Sequence, residues 1–126
     1  MLKKLHIQNY ALIEHLEIQP TNGLNVITGE TGAGKSILLG AVGLLLGNRA
    51  DTSVLFSSDL KCIIEGTFQL GEYKLTNFFN ENELDYDQET IIRREINPAG
   101  KSRAFINDTP VTLDVLRSLG SRLMDI

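Results

Sequence analysis

The sequence has little of what would tie it to a membrane, an oxidising compartment or a broad nucleic-acid surface. Its single cysteine, Cys62, has no partner for an internal disulfide, so a reducing, cytoplasmic setting is expected. Its most apolar stretch, 37–46, is interrupted by Gly40 and Gly43 and covers about ten residues, whereas a transmembrane helix needs roughly 18, so no membrane partner is predicted. Its 16 acidic and 12 basic side chains give a formal charge of −4, so any nucleic-acid contact must be local.

Residues 29–36 have the pattern of a phosphate-binding loop. Enclosing the β- and γ-phosphates of a nucleoside triphosphate requires several backbone N–H groups to point into one small space, and the three glycines of the loop permit this close approach. Lys35 supplies a fixed positive charge, and the Ser36 hydroxyl is the expected ligand of Mg²⁺. We therefore predict that ATP binds, with Mg²⁺, to Gly29, Glu30, Thr31, Gly32, Ala33, Gly34, Lys35, Ser36 and Ile37.

The residues on either side supply the context that such a loop needs. The run 24–28 is apolar and β-branched, as expected of a buried strand, and 37–46 is amphipathic, as expected of a helix. That helix should begin near Lys35, direct the positive end of its dipole at the phosphates, and stop at Gly47-Asn48. A glycine-rich turn without a ligand is the alternative, but such a turn does not need the Lys-Ser pair.

The remainder of the chain predicts a mixed α/β order. Residues 5–9 and 16–18 alternate between apolar and polar side chains and should form an antiparallel pair. Thr112 should cap a short helix that Gly120 interrupts or ends. Further strands are predicted at 62–70, 90–96 and 102–106, with turns at 20–23, 97–100 and 107–108.

Metal binding outside the loop is not predicted. Residues 77–89 are acidic and are interpreted as a solvated helix end and loop; a metal site is the alternative, although the spacing does not match an EF-hand. His6 and His15 have no Cys or His at ligand spacing, so a zinc site is not expected. Cys62 is interpreted as a core residue.

Four basic side chains on the predicted hairpin are candidates for contacts with DNA phosphates. They are Arg93, Arg94, Lys101 and Arg103. A solvated strand face is the alternative, because period-two alternation places Arg93 and Arg94 on opposite faces of the strand.

The sequence offers no clear candidate for the further parts that hydrolysis requires. A second apolar strand should end in an acidic residue that holds Mg²⁺ and polarises water. Glu65 and Asp125 are the nearest candidates, but neither follows the apolar run that a buried central strand offers. At 126 residues the chain is also short for a complete P-loop ATPase, and we expect it to be cut from something larger.

The chain resembles the RecN family of bacterial DNA repair proteins, within the SMC-like branch of the ABC-type ATPases. The resemblance covers nearly the whole chain, and its most discriminating part is 93–96 together with 100–113; segments 5–14, 23–37 and 44–50 carry the rest. It implies an α/β P-loop NTPase fold of the ABC/SMC head type. This chain would be the N-terminal lobe, with antiparallel strands plus the P-loop strand and helix.

In that family one ATPase head is assembled from the two ends of a long chain. The resemblance therefore implies that residues 1–126 form the N-terminal half of a head, that Walker B, the signature motif and the catalytic glutamate belong to a C-terminal half, and that the Q-loop begins just past Ile126. No catalytic residue is assigned within this chain, which alone should bind nucleotide without efficient hydrolysis.

The implied partners follow from the same resemblance. They are the C-terminal half of the head, a second head that closes with the first around two ATP molecules, and DNA during recombinational repair of double-strand breaks, in the bacterial cytoplasm at the nucleoid. Asn9 and Tyr10 would lie near the adenine by analogy, or else end a strand that packs on the core. Arg49 would approach the nucleotide or the second head, or else be an ordinary surface arginine. Asp108 stands in a turn where the family often has glycine.

Two other classes of function remain open. A small-molecule kinase uses a similar loop, but it needs lid arginines and an acceptor pocket, and it would normally begin close to its P-loop strand. A non-catalytic binding module predicts no nucleotide affinity at all.

Overall fold

The computed structural model describes residues 2–19, 32–50, 52–70 and 75–124. Its strands are β1 (Leu2–Tyr10), β2 (Ile13–Ile18), β3 (Cys62–Gln69), β4 (Glu89–Ile96), β5 (Ser102–Ile106) and β6 (Thr109–Val111). Its helices are α1 (Gly32–Leu45), α2 (Thr76–Glu81) and α3 (Leu113–Met124), with a 3-10 turn at Thr52–Val54. The strand predicted at 24–28 and the turn predicted at 20–23 lie outside the described residues.

The six strands form one antiparallel sheet in the order β2-β1-β3-β4-β5-β6. The predicted pair of β1 and β2 is confirmed, with Ile7 opposite Leu16. The predicted β4–β5 hairpin is confirmed as well: the Asn97 N–H donates to the Lys101 carbonyl at 2.9 Å, and Gly100 takes a φ of 88°. Chain neighbours therefore pair at both ends of the sheet, and β3 links the two hairpins.

A two-residue turn joins β5 to β6. Asn107 and Asp108 both have positive φ, 48° and 66°, as a type I′ hairpin turn requires. The sequence predicted this turn but not β6, which is only three residues long and contains Pro110. Proline is confined to such edge positions because it has no N–H for a ladder bond.

One face of the sheet is packed and the other is open. Ile7 and Ile64 are fully buried on the packed face, where Leu44 and Leu45 of α1 join the same apolar core. Burial alternates strictly along β3, as period-two geometry requires. The open face carries polar side chains of β1 to β4, among them Lys4, His6, Glu17, Glu65, Thr67, Arg93 and Glu95.

The end of α1 follows the predicted stop. Gly47 has a φ of 105° and its N–H donates to the Leu44 carbonyl at 3.3 Å, while the Asn48 N–H donates to the Gly43 carbonyl at 3.0 Å. These two bonds define a Schellman motif, in which glycine is the residue that takes the left-handed conformation without a steric penalty.

Gly120 does not interrupt or end α3, and the expectation that it would is wrong. The helix continues to Met124, and the Val115 N–H donates to the predicted cap, Thr112 Oγ1, at 3.3 Å. A Cβ at Gly120 would lie 2.7 Å from the Leu46 carbonyl oxygen and 3.0 Å from the Leu46 Cα. Gly120 therefore lets α3 approach the end of α1 closely, a tertiary constraint that overrides its low helix propensity.

The acidic segment 77–89 lies at the surface, as predicted. Its five acidic side chains are all exposed. The short helix α2 within this region also turns Phe78 and Phe79 into the core, with the Tyr86 ring edge-on to Phe79 at 5.4 Å between centroids. The aromatic side chains therefore pack the segment against the core, and the carboxylates remain exposed to solvent.

The helices in the described part of the chain are each too short, or too polar, to cross a lipid bilayer.

Candidate nucleotide-binding site

Helix α1 carries the last five residues of the predicted phosphate-binding loop at its N-terminal end. It begins at Gly32, which is three residues earlier than expected. Ser36 is exposed, and Ile37 is half-buried against the core. The first N–H groups of a helix have no partner within the helix and stand at the positive end of its dipole, so this end of α1 is suited to an anion. Gly29, Glu30 and Thr31 lie outside the described residues.

Two glycines bring α1 against the sheet. A Cβ at Gly40, on the helix, would lie 2.5 Å from the Tyr10 hydroxyl of β1. A Cβ at Gly66, on β3, would lie 2.6 Å from Leu45 Cδ1. Distances this short exclude a side chain at either position without movement of its neighbour. At both positions the side chain that would have to move, Tyr10 or Leu45, belongs to the contact between α1 and the sheet.

A buried arginine fixes the far end of α1. Arg94 of β4 is fully buried, and its Nη1 donates to the carbonyls of Leu44 and Asn48, both at 2.8 Å. Its Nη2 donates to Ser102 Oγ on β5 at 2.6 Å. Burial lowers the pKa of Arg94, and Arg117 nearby lowers it further. The partners are carbonyl and hydroxyl oxygens, and those at the helix end carry the negative end of the dipole.

A second arginine contacts the same end of the helix. Arg117 of α3 donates from Nε to the Gly47 carbonyl at 3.1 Å and from Nη1 to Asp114 at 3.1 Å. Carbonyls at a helix C-terminus lack partners within the helix, and cationic side chains stabilise them. Arg94 and Arg117 thus connect the C-terminal end of α1 to β4, β5 and α3, while the other end of α1 holds the loop residues.

The predicted basic group on the hairpin is not one surface. Arg94 faces the core and is fully buried, so neither of the two alternatives, a contact with DNA phosphates or a solvated strand face, describes it. Arg93 faces the open side of the sheet, as alternation predicted. Lys101 and Arg103 are exposed near the β4–β5 turn. Lys101 and Arg103 are therefore the two members that remain at the surface without an ion pair among the described residues.

Arg93 is surrounded by acidic side chains. Its guanidinium lies 3.0 Å from Asp108 Oδ1, 3.1 Å from Glu95 Oε2 and 3.8 Å from Glu65 Oε2. Its Cζ also lies 4.3 Å from the centroid of the Phe105 ring. Its charge is therefore already compensated within the sheet. Asp108, in the β5–β6 turn, is one of these partners.

Asn9 and Tyr10 have structural roles at the end of β1. The Asn9 side chain donates to the carbonyls of Ser57 and Leu60 at 3.0 and 2.9 Å, and its Oδ1 accepts from the Ser57 N–H at 2.6 Å. Tyr10 is buried against α1, and burial raises the pKa of its hydroxyl. The packing interpretation of these two residues is the one that the contacts favour.

The structure places three further residues that the sequence singled out. Arg49 is exposed beyond the C-terminal end of α1, at the opposite end of that helix from Lys35. Glu65 lies on the open face, 3.8 Å from the Arg93 guanidinium. Cys62 is fully buried, and burial raises the pKa of its thiol to about 12. Asp125 lies outside the described residues.

The structure brings together one group of possible metal ligands that the sequence did not predict. His6 and His15 are nine positions apart, yet antiparallel pairing of β1 with β2 brings their ring centroids to 4.9 Å. Together with Glu17 they place their potential ligand atoms within 4.8 Å of one another. The expectation that the two histidines have no neighbouring ligand is therefore wrong, because cross-strand register, and not distance along the chain, decides which side chains meet.

A sequence comparison relates the chain to a protein family. The AAA domain family matches residues 4–119. The DNA repair protein RecN of Vibrio cholerae serotype O1 is 41% identical over 127 aligned residues, which include all of this chain and 23% of the relative. The chain thus spans about a quarter of the length of the curated relatives that it matches.

Solved structures share the fold. One is an SMC ATPase chain described for ATP-driven dimerization and DNA-stimulated activation, with a TM-score of 0.72, 19% identity, and 98% of this chain and 79% of that chain covered. Another is the recombination mediator RecF with ATP in the RecFOR pathway, with a TM-score of 0.65, 19% identity, and 97% and 30% covered. At such identities the likeness concerns the fold alone. The expected α/β fold of the ABC/SMC ATPase type is confirmed.

Proposed function

Because this chain belongs to the AAA domain family, we propose that it is the ATP-binding, N-terminal half of the ATPase head of a RecN-like DNA repair protein. The observation that carries the proposal is the location of the phosphate-binding sequence. Gly32 to Ser36 open α1, and the opposite end of that helix is fixed to β4 and α3 by buried and half-buried hydrogen bonds. A helix held at one end presents its other end in one position, as a phosphate site requires.

Within the site, each residue has a proposed role. Lys35 compensates the charge of the β- and γ-phosphates, and the Ser36 hydroxyl ligates Mg²⁺. Gly29, Glu30, Thr31, Gly32, Ala33, Gly34 and Ile37 contribute mainly through backbone N–H groups and the shape of the loop. The exposure of Ser36 supports this assignment, since a metal ligand must be accessible.

Hydrolysis belongs to the assembled head. We propose that residues 1–126 are completed by a C-terminal half of the same parent chain, and that two completed heads close around ATP while the parent acts on DNA breaks in the bacterial cytoplasm, at the nucleoid. The coverage of 23% of the RecN relative supports a parent that is several times longer. The SMC ATPase with the same fold, described for ATP-driven dimerization, supports closure of two heads.

Mg-ATP binding tests the site directly. Lys35→Ala should weaken the binding of a fluorescent ATP analogue by about 10- to 100-fold, because a charge-assisted contact contributes on the order of 1.5–3 kcal/mol. Lys101→Ala, an exposed lysine on the β4–β5 turn, is the matched control and should bind as the wild type does. Equal binding by the Lys35→Ala variant would support a non-catalytic module instead.

Steady-state hydrolysis separates a split head from a self-contained enzyme. The chain alone should turn over ATP very slowly, and activity should appear when it is mixed with, or joined to, the C-terminal half of its parent. That activity should vanish in Lys35→Ala. If the chain alone hydrolyses ATP efficiently, or phosphorylates a small acceptor, the split-head proposal is wrong and a small-molecule kinase becomes the better description.

A further inference from the structure

The β1–β2 hairpin brings both histidines of the chain together on the open face of the sheet. His6 is directly opposite Glu17, and His15 is opposite Gln8. Side chains two residues apart on a strand project from the same face, so Glu17 and His15 both lie on the face that His6 occupies. The three residues His6, His15 and Glu17 are called the histidine cluster below.

The spacing of the histidine cluster is close to that of a metal site. Its nitrogen and carboxylate oxygen atoms lie within 4.8 Å of one another, and Nδ1 of His6 is 4.0 Å from Oε2 of Glu17. A tetrahedral zinc ion with bonds of 2.0–2.1 Å needs ligand atoms about 3.3 Å apart. Movement of each side chain by about an ångström closes the difference, and His15 and Glu17 are both exposed.

The histidine cluster lies among ion-paired side chains of both signs. Lys4 Nζ lies 2.7 Å from Oε1 of Glu17. The second carboxylate oxygen of Glu17 is the one that faces His6. On β3 the residue opposite His6 is Glu65, whose carboxylate lies 3.8 Å from Arg93. Lys4 is half-exposed, so its ammonium can move into water when a cation binds the second oxygen of Glu17.

The donor set selects the kind of metal. Two imidazoles and one carboxylate suit a borderline ion such as zinc, whereas Mg²⁺ and Ca²⁺ prefer oxygen ligands. We propose that His6, His15 and Glu17 form a zinc-binding site on the open face of the β1–β2 hairpin. Three protein ligands leave one coordination position for water or for a group of a partner. Because α1 packs on the opposite face of the sheet, this site is separate from the candidate nucleotide site and does not rest on the proposed function.

Zinc titration of the full chain tests the proposal. Competition against a chromophoric chelator should give one zinc ion per chain, and His15→Gln should weaken binding more than 10-fold, as should His6→Gln. Glu17→Gln should weaken binding by about 10-fold, because one oxygen ligand is lost and the imidazoles remain. Glu14→Gln removes the carboxylate next to His15 on the same exposed strand, and it should bind zinc as the wild type does.

A second measurement keeps the result independent of folding. Cobalt substituted for zinc should produce visible absorption bands typical of tetrahedral coordination in the wild type and in Glu14→Gln, and not in His15→Gln. Far-UV circular dichroism of His15→Gln should match the wild type, since this side chain is exposed on an edge strand. The absence of stoichiometric zinc, or equal zinc affinity in the wild type and His15→Gln, would overturn the proposal and leave the pair of histidines as a cross-strand ring contact.

Discussion

Arg93 and Arg94 are neighbours in sequence, but their side chains lie on opposite faces of the sheet and make different kinds of contact. Arg94 is fully buried and donates hydrogen bonds to α1 and β5. Arg93 is half-buried on the open face, among three carboxylates and a phenylalanine ring. Arginine therefore forms a buried connection between elements on one face and is one member of an ion network on the other.

The buried contacts of Arg94 fix the C-terminal end of α1, and the predicted phosphate-binding residues lie at the other end of that helix. A buried polar group must be fully hydrogen-bonded or it costs free energy, so each partner of Arg94 has one acceptable position. Among the residues that the structure describes, Nε of Arg94 is the buried side-chain nitrogen or oxygen without a partner. The open face has water as an alternative partner, so its contacts are exchangeable.

Arg94→Met should cause the largest loss of stability among these variants. Methionine fills much of the volume but leaves the Leu44 and Asn48 carbonyls and the Ser102 hydroxyl without their donor, so we expect the free energy of unfolding to fall by about 3 kcal/mol. Urea unfolding followed by circular dichroism measures the change. Faster hydrogen exchange at the last turn of α1 should accompany it, because that turn loses its anchor.

Arg94→Lys is the control for the shape of the guanidinium. Lysine keeps the charge, but it cannot reproduce donation from two nitrogens to oxygens on α1 and β5. A loss close to that of Arg94→Met is expected. If either variant is within about 1 kcal/mol of the wild type, the buried contacts of Arg94 contribute no more to stability than those of Arg93 and the contrast between the two residues fails.

Gly120→Ala, also on the packed side of the sheet, should cause an intermediate loss of stability. The added Cβ would meet the Leu46 backbone at 2.7–3.0 Å, so α3 must move away from the end of α1. Overpacking of this kind costs roughly 1–3 kcal/mol, which exceeds the gain of up to about 1 kcal/mol in helix propensity. Thermal unfolding should show a net loss. Ser121→Ala, one residue on and exposed, should be neutral or slightly stabilising.

The sequence predicted local features well and close approaches poorly. The P-loop pattern, the Gly47 cap, the Thr112 cap and the turn at 107–108 each depend on a few adjacent residues, and the last three are confirmed in the structure. The continuation of α3 through Gly120 depends on Leu46, far away in the chain, and no local pattern contains that information.

The candidate sites show the same difference between local features, which the sequence predicts, and contacts between distant residues, which it does not. The residues predicted to bind ATP form one continuous segment, so the spacing of their sequence could be recognised directly. The burial of Arg94 and the meeting of His6 with His15 both depend on strand register and on which face is covered by α1. Period-two alternation correctly predicted that Arg93 and Arg94 lie on opposite faces of the strand, but it did not predict which of the two would face the core.

Arg93→Met should have the smallest effect and is the sharpest test of the comparison. The change removes one cation from a network in which Glu95 keeps a second partner, Lys61, at 3.5 Å, while methionine retains apolar contact with Phe105. We expect the free energy of unfolding to fall by less than about 1 kcal/mol, because ion pairs that water can reach are weak and water can solvate the released carboxylates. The difference from wild type should shrink further at about 0.5 M NaCl, since salt screens exposed charges, whereas the effect of Arg94→Met should persist because a buried contact is screened much less. A loss from Arg93→Met as large and as salt-independent as that from Arg94→Met would mean that the open face is covered by something in the folded protein and that the two faces are energetically alike.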